Sequence, residues 1–132
     1  LDVLYAADVR GVPAATVLAE VEAERREARG EMNPYTAELV DGVVQHRMRI
    51  DDLLSTHSEG WALDRMPAVD RNLLRIGVYE VLWGSDVPDA VAVSEAVELA
   101  TEISTDDSPR FVNGVLSRIL QVKPMLPEGT TS

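Results

Sequence analysis

The chain has 132 residues, no cysteine and a formal net charge of −11, with Lys123 as its single lysine. That length suffices for one domain, or two small lobes sharing a core, without a covalent staple, and the missing cysteines exclude disulfides, thiolate metal sites and cysteine nucleophiles. The charge argues against a stand-alone nucleic-acid binder, whose affinity comes mostly from Lys and Arg on phosphates, and points to solubility or a basic protein partner.

Leu1 to Arg10 reads as the end of a helix, with Val3, Leu4, Ala7 and Val9 apolar and Gly11 stopping it. The start at Leu1 rather than Met, already inside a helix, gives the expectation that an N-terminal piece is missing. Tyr5 fits core or surface equally. Pro13 opens a second helix with Val17, Leu18 and Val21 as its buried stripe. Its tail sets Glu22 one turn from Arg25 and Arg26, pairs worth a few tenths of a kcal/mol each on a solvated face, and Gly30 ends it. Asn33-Pro34 is a cap and first turn for a helix reaching about His57, with Tyr35, Leu39, Val43, Ile50, Leu53 and Leu54 on one side. His46 shares that side and reads as a hydrogen-bonded boundary residue rather than a metal ligand. Adjacent Asp51 and Asp52 point to different sides of a helix and make a poor acid–base pair.

Ser58 to Met66 is a break containing Gly60, with room for one helical turn around Trp61. The run from Pro67 to Trp83 follows, and it is the most apolar in the chain. Val69, Leu73, Leu74, Ile76, Gly77, Val78, Val81 and Leu82 cover more than half of its helical surface, so the helix needs neighbours on several sides. Arg71, Asn72, Arg75 and Tyr79 form the narrow strip expected to face water. Glu80 projects into the apolar arc, where a carboxylate must be hydrogen-bonded, paired or protonated. It is expected to be a structural group met by a donor.

Gly84 to Pro88 is a turn cluster. Asp89 to Ser104 makes another helix that buries Ala92, Val93, Ala96, Leu99, Ala100 and Ile103 and carries the acidic row Glu95, Glu98 and Glu102. A polar loop ends in Ser108-Pro109, a second cap and first-turn proline. The last helix, Pro109 to about Leu120, puts Phe111, Val112, Val115, Leu116, Ile119 and Leu120 on one half and Arg110, Asn113, Gly114 and Ser117 on the other. Gly114 costs roughly 1 kcal/mol relative to Ala, which suggests close approach of a backbone or ligand. The tail after Val122 is expected to be disordered. The tally is about six helices and no convincing strand, an all-α fold.

The residues offer no phosphate-cradling loop, no His-based metal spacing and no nucleophile with a matching base. Asp106 and Asp107 precede a helix, where carboxylates usually serve the positive end of its dipole. With no secretory signal and no apolar run near the roughly 20 residues that span a bilayer, a cytoplasmic, non-enzymatic interaction module without metal or cofactor is expected.

The blocks AVDRNLLRIGVYEVL, SDVPDAVAVSEAVELATEIS and DDSPRFVNGVL, in that order across roughly Trp61 to Leu120, resemble the NusB family of bacterial transcription antitermination factors, in wording closest to its actinobacterial members. LYAADVRG and NPYTAELVDGV extend the match over most of the chain. The resemblance implies two small packed helical bundles of about six to seven helices, 1–57 and 58–122, with 123–132 a disordered tail. It implies binding to ribosomal protein NusE and to boxA RNA of ribosomal RNA leader transcripts, within a processive RNA polymerase antitermination complex. By the match of motifs, Tyr5, Asp107, Arg110 and Phe111 face RNA, while Asp70 and, less closely, Asp64 face NusE. For Phe111 a core role competes with the RNA role, and for Asp107 a capping role does. The family begins with an arginine-rich segment, and none precedes Leu1 in this sequence. The expectation is weak RNA binding by this chain alone and stronger binding by a parent that carries the segment, especially with NusE. The alternatives are a homodimer, a NusB-like module without RNA contact (as in a fusion to a ribosomal RNA methyltransferase) and an enzyme.

Overall fold

Nearly every side chain of the helix from Ala68 to Leu82 is withdrawn from water, polar ones included. The computed structural model describes residues 1–27, 34–58, 62–84, 88–104 and 107–125. Seven α-helices occur among these: α1 (Asp2–Arg10), α2 (Ala14–Glu27), α3 (Pro34–Gln45), α4 (Arg47–His57), α5 (Ala68–Leu82), α6 (Asp89–Ile103) and α7 (Ser108–Val122). Two 3-10 turns, Leu63–Arg65 and Lys123–Met125, complete the described elements, and no strand occurs among the described residues. The expected Asn33 cap, the Arg25 and Arg26 pairs, the turn at Trp61, most of the Gly84–Pro88 cluster, Asp106 and the tail from residue 126 lie outside the described residues.

The all-apolar arc read from the sequence explains the position of α5. Leu73, Leu74, Val78 and Val81 are fully enclosed, because α1, α3, α4, α6 and α7 all pack against the helix. Burial of such side chains contributes roughly 1.5–3 kcal/mol each. The helix α2 packs on α1 and α3 instead. At Gly77 an added Cβ would sit 2.7 Å from a Leu116 methyl, and at Gly42 one would sit 2.2 Å from the Tyr79 ring. Those two glycines let helices approach closely. Gly114 does not, since the nearest atom to a Cβ there is the end of Arg118 at 3.9 Å. Gly11 ends α1 in the left-handed region at φ 69°, and the following Val12 N–H donates to Ala7 O at 3.1 Å.

Several expectations need correction. The helix expected to run unbroken to His57 divides at His46, whose backbone leaves the helical region (φ −104°, ψ 13°). The His46 ring lies parallel to the Trp83 indole at 4.1 Å, so this boundary histidine is held by ring stacking. In α6 the buried arc is made by Ala92, Val93, Ala96 and Ala100, while Leu99 and Ile103 remain exposed. Small residues bring α6 against its neighbours and leave the larger ones at the edge. The expected tail has its first residue fixed in place. Lys123 is pinned, its Nζ donating to Val81 O and Asp89 Oδ2, each at 2.8 Å.

Glu80 meets its expected donor in the Tyr35 hydroxyl, 3.1 Å from Oε2. Burial raises the Glu80 carboxyl above its ordinary range, the Tyr35 donor opposes that, and Glu95 adds to the rise. Burial and then Glu80 push the Tyr35 phenol upward in turn. A carboxyl raised in the folded state favours folding below its unfolded value and loses that contribution as pH rises through the folded value. Glu80→Gln, which keeps an acceptor for Tyr35 without the charge, is therefore expected to raise Tm at pH 7 by about 4 °C, as ~1 kcal/mol does in a domain of this size. The gain should shrink as pH falls, which thermal melts at pH 7 and pH 4 would check.

Candidate nucleic-acid and partner interface

The strip of α5 expected to face water is instead an internal polar seam, with Asn72 and Arg75 buried. Its counter-charges come from helices distant in sequence. Asp8 Oδ2 on α1 accepts from Arg71 Nε at 2.8 Å, Asn72 Nδ2 at 2.9 Å and Arg75 Nη1 at 3.3 Å. Arg75 also forks onto Asp51 of α4, Nε to Oδ1 at 2.8 Å and Nη2 to Oδ2 at 3.1 Å, a bidentate geometry that fixes both partners. Burial pulls the Asp8 carboxyl upward, but donation from Arg71 and Asn72 and the charges of Arg71 and Arg75 outweigh it and hold Asp8 below its ordinary value.

The residue before this seam faces the other way. Asp70, expected on a partner-facing surface, is wholly buried. Its carboxylate accepts from Ser104 Oγ at 2.5 Å and Ser108 Oγ at 2.9 Å, and the two hydroxyls lie 2.9 Å apart. Ser108 was expected as the helix cap. It is drawn into this network, and Asp107 takes the cap position. One carboxylate therefore ties the end of α6 and the start of α7 to the first turn of α5.

That tie sets the three clustered candidates on the opening turn of α7. Asp107 occupies the cap position without making a side-chain cap bond, so its exposed carboxylate is not spent on the helix. Arg110 is exposed on the same turn, with no ion pair among the described residues. Phe111 is half-buried and packs against the core, leaving part of its ring at the surface. Tyr5 lies apart from them in sequence, on α1, with 40% of its surface exposed. Its helix is anchored through Asp8 to Arg71, the neighbour of Asp70. Consecutive residues of α5 thus position both groups. Asp64 is exposed on the 3-10 turn before α5, at the edge of a groove of about 590 Å³. An aromatic, an uncommitted carboxylate and an unpaired guanidinium at one surface suit unstacked bases and phosphates. No group of three or more His, Asp or Glu side chains that could hold a metal occurs among the described residues.

The sequence reading missed Asp8, Asp51, Ser58, Ser104 and Ser108 as members of this region. One signal was present. Asp8 follows buried Leu4 by four residues, on the inward face of its helix, much as Glu80 interrupts the apolar arc of α5.

The NusB family model matches residues 1–121. A relative from Nocardioides sp. (strain JS614), described as transcription antitermination protein NusB, is 61% identical over 126 residues, covering 96% of this chain and 91% of the relative. Among solved structures, T. maritima NusB aligns at TM-score 0.76 with 31% identity, over 98% of this chain and 89% of that one. A crystal structure of the antitermination factors NusB and NusE in complex with dsRNA aligns at TM-score 0.76 with 31% identity, over 91% of this chain and 89% of that one. With a family model spanning residues 1–121 and such a relative along nearly its whole length, the chain belongs to the NusB family.

Proposed function

We propose that the protein is a transcription antitermination factor that binds ribosomal protein NusE and, together with it, boxA RNA, promoting processive transcription by RNA polymerase. It acts by binding, without catalysis, in the cytoplasm. No helix among the described residues is long and apolar enough to cross a membrane. The observation that carries the reading is the opening turn of α7, where Asp107 and Arg110 stand exposed and uncommitted on a base fixed from below by Asp70. The likeness to a NusB–NusE–RNA complex supports the same choice of partners. A net charge of −11 makes RNA capture by this chain alone weak, so NusE supplies part of the affinity. In this reading Tyr5 and Phe111 stack on bases, Asp107 accepts from an exocyclic amine and Arg110 meets a phosphate. Residues 1–57 and 58–122 act as two lobes joined across α5, with Asp64 on the partner side and Asp70 acting through the α6–α7 junction.

A mobility-shift titration with boxA RNA, with and without NusE, tests this. NusE should strengthen RNA binding at fixed salt, and a chain that shifted no RNA even with NusE would leave only the protein-interaction module. Arg110→Ala should weaken RNA binding about tenfold and lower the salt slope by roughly one, with an unchanged melt because Arg110 is exposed.

A further inference from the structure

Gly114 weakens its helix and no neighbouring backbone packs on it. Among the described residues, an added Cβ there would meet only the Arg118 Nη2, at 3.9 Å. What the glycine leaves is an open notch on the polar face of α7. The Arg118 side chain leans back toward that notch, in the direction a long side chain takes on a helix. Its Nε is buried without a partner, and its Nη groups make no bond among the described residues. The guanidinium thus lies along the helix with its fork unspent.

Charge marks the same face. The helix α7 carries Arg110 and Arg118 and no acidic residue, in a chain whose net charge is −11. Among the described side chains, the arginines and lysine outside any ion pair are Arg65, Arg110 and Arg118. Helical rise sets Arg118 about 12 Å along the axis from Arg110, on the same flank. Two unmatched guanidiniums at that interval, with a glycine gap between them, suit an extended polyanion rather than one small anion. Arginine meets the phosphates of such a chain through its planar fork.

We propose that the RNA strand continues along α7 from Arg110 to Arg118, with one phosphate seated over Gly114 and held by the Arg118 guanidinium. This rests on the RNA half of the reading above and adds to it a second phosphate contact and a path. Titrations of the full chain and NusE with boxA RNA at several salt concentrations test it. Arg118→Ala should weaken RNA binding about fivefold and lower the salt slope by roughly one. Arg118→Lys, which keeps the charge but not the fork, should restore the slope and only part of the affinity. Gly114→Ala fills the notch with a methyl group. It should raise Tm by a few degrees, as alanine favours the helix, yet weaken RNA binding about threefold, an opposition that a purely structural glycine would not show. Shortening the RNA stepwise from each end should, at one end, abolish the effect of Arg118→Ala before that of Arg110→Ala. The inference is overturned if Arg118→Ala and Gly114→Ala bind RNA as wild type does, or if their losses are confined to NusE affinity measured without RNA. In either case a loss at Arg110→Ala would leave the RNA reading itself standing. A wild type that binds no RNA even with NusE would overturn both.

Discussion

Arg75→Ala is expected to destabilise the protein by about 4 kcal/mol, the loss typical when one member of a buried charge network is removed and its partners stay behind. Arg75 has 4% of its surface exposed and satisfies two carboxylates on two helices, Asp8 of α1 and Asp51 of α4. Without it Asp51 loses both fork bonds, and Asp8 keeps only Arg71 and Asn72. Arg75→Met, which fills the same space but leaves Asp51 with only the long contact to Arg47 at 3.5 Å, should recover little. Arg75→Met with Asp51→Leu, removing both charges of the fork, should recover most of the loss, because a buried pair exchanged for apolar groups is often neutral. The pH dependence gives an independent check. A carboxyl held below its ordinary value contributes stability above its unfolded value, near 3.8 for Asp8, and loses it as pH falls through the folded value. In the Arg75 variants that acid limb should flatten. Urea melts at pH 7 and pH 3 would measure both effects.

The same seam marks how far the sequence could be read. The order of helices and the central place of α5 were legible because apolar periodicity, Pro13, Pro67, Pro88 and Gly11 are local signals. Even the oddity of Glu80 was legible, as a carboxylate in an apolar arc, although its donor Tyr35 lies 45 residues away. Arg71, Asn72 and Arg75 were read as wet because a polar strip on a helix usually is. Their partners are 63 and 67 residues away for Asp8 and 24 for Asp51, separations that periodicity does not report. The break at His46 was hidden for a similar reason, since the apolar stripe passes through it and the stacking partner Trp83 caps the distant end of α5. At the candidate surface, Asp107 and Arg110 were legible as exposed polar residues before an apolar face. The inward turn of Asp70 was not, because two serines beyond α6 determine it.

Asp70→Ala is expected to lower stability by about 3 kcal/mol, the upper range for leaving buried hydrogen-bonding groups without their acceptor, and to weaken boxA RNA binding by more than that loss of folded protein explains. The carboxylate joins Ser104 and Ser108 to α5. Its removal frees the α6–α7 junction and with it the positions of Asp107, Arg110 and Phe111. A surface that must order on binding loses affinity to the entropy of ordering, so at temperatures where the variant stays folded, RNA affinity should fall about tenfold. Affinity for NusE should change little if Asp64 and its groove make the partner contact, since they lie across α5 on the seam held by Arg71. Asp70→Asn retains one acceptor oxygen and should recover part of both losses. Ser104→Ala with Ser108→Ala, which removes the donors and leaves the carboxylate buried, should reproduce the RNA defect of Asp70→Ala. Equal losses of RNA and NusE affinity would instead place Asp70 in a general structural role, and a loss confined to NusE would return it to the partner face.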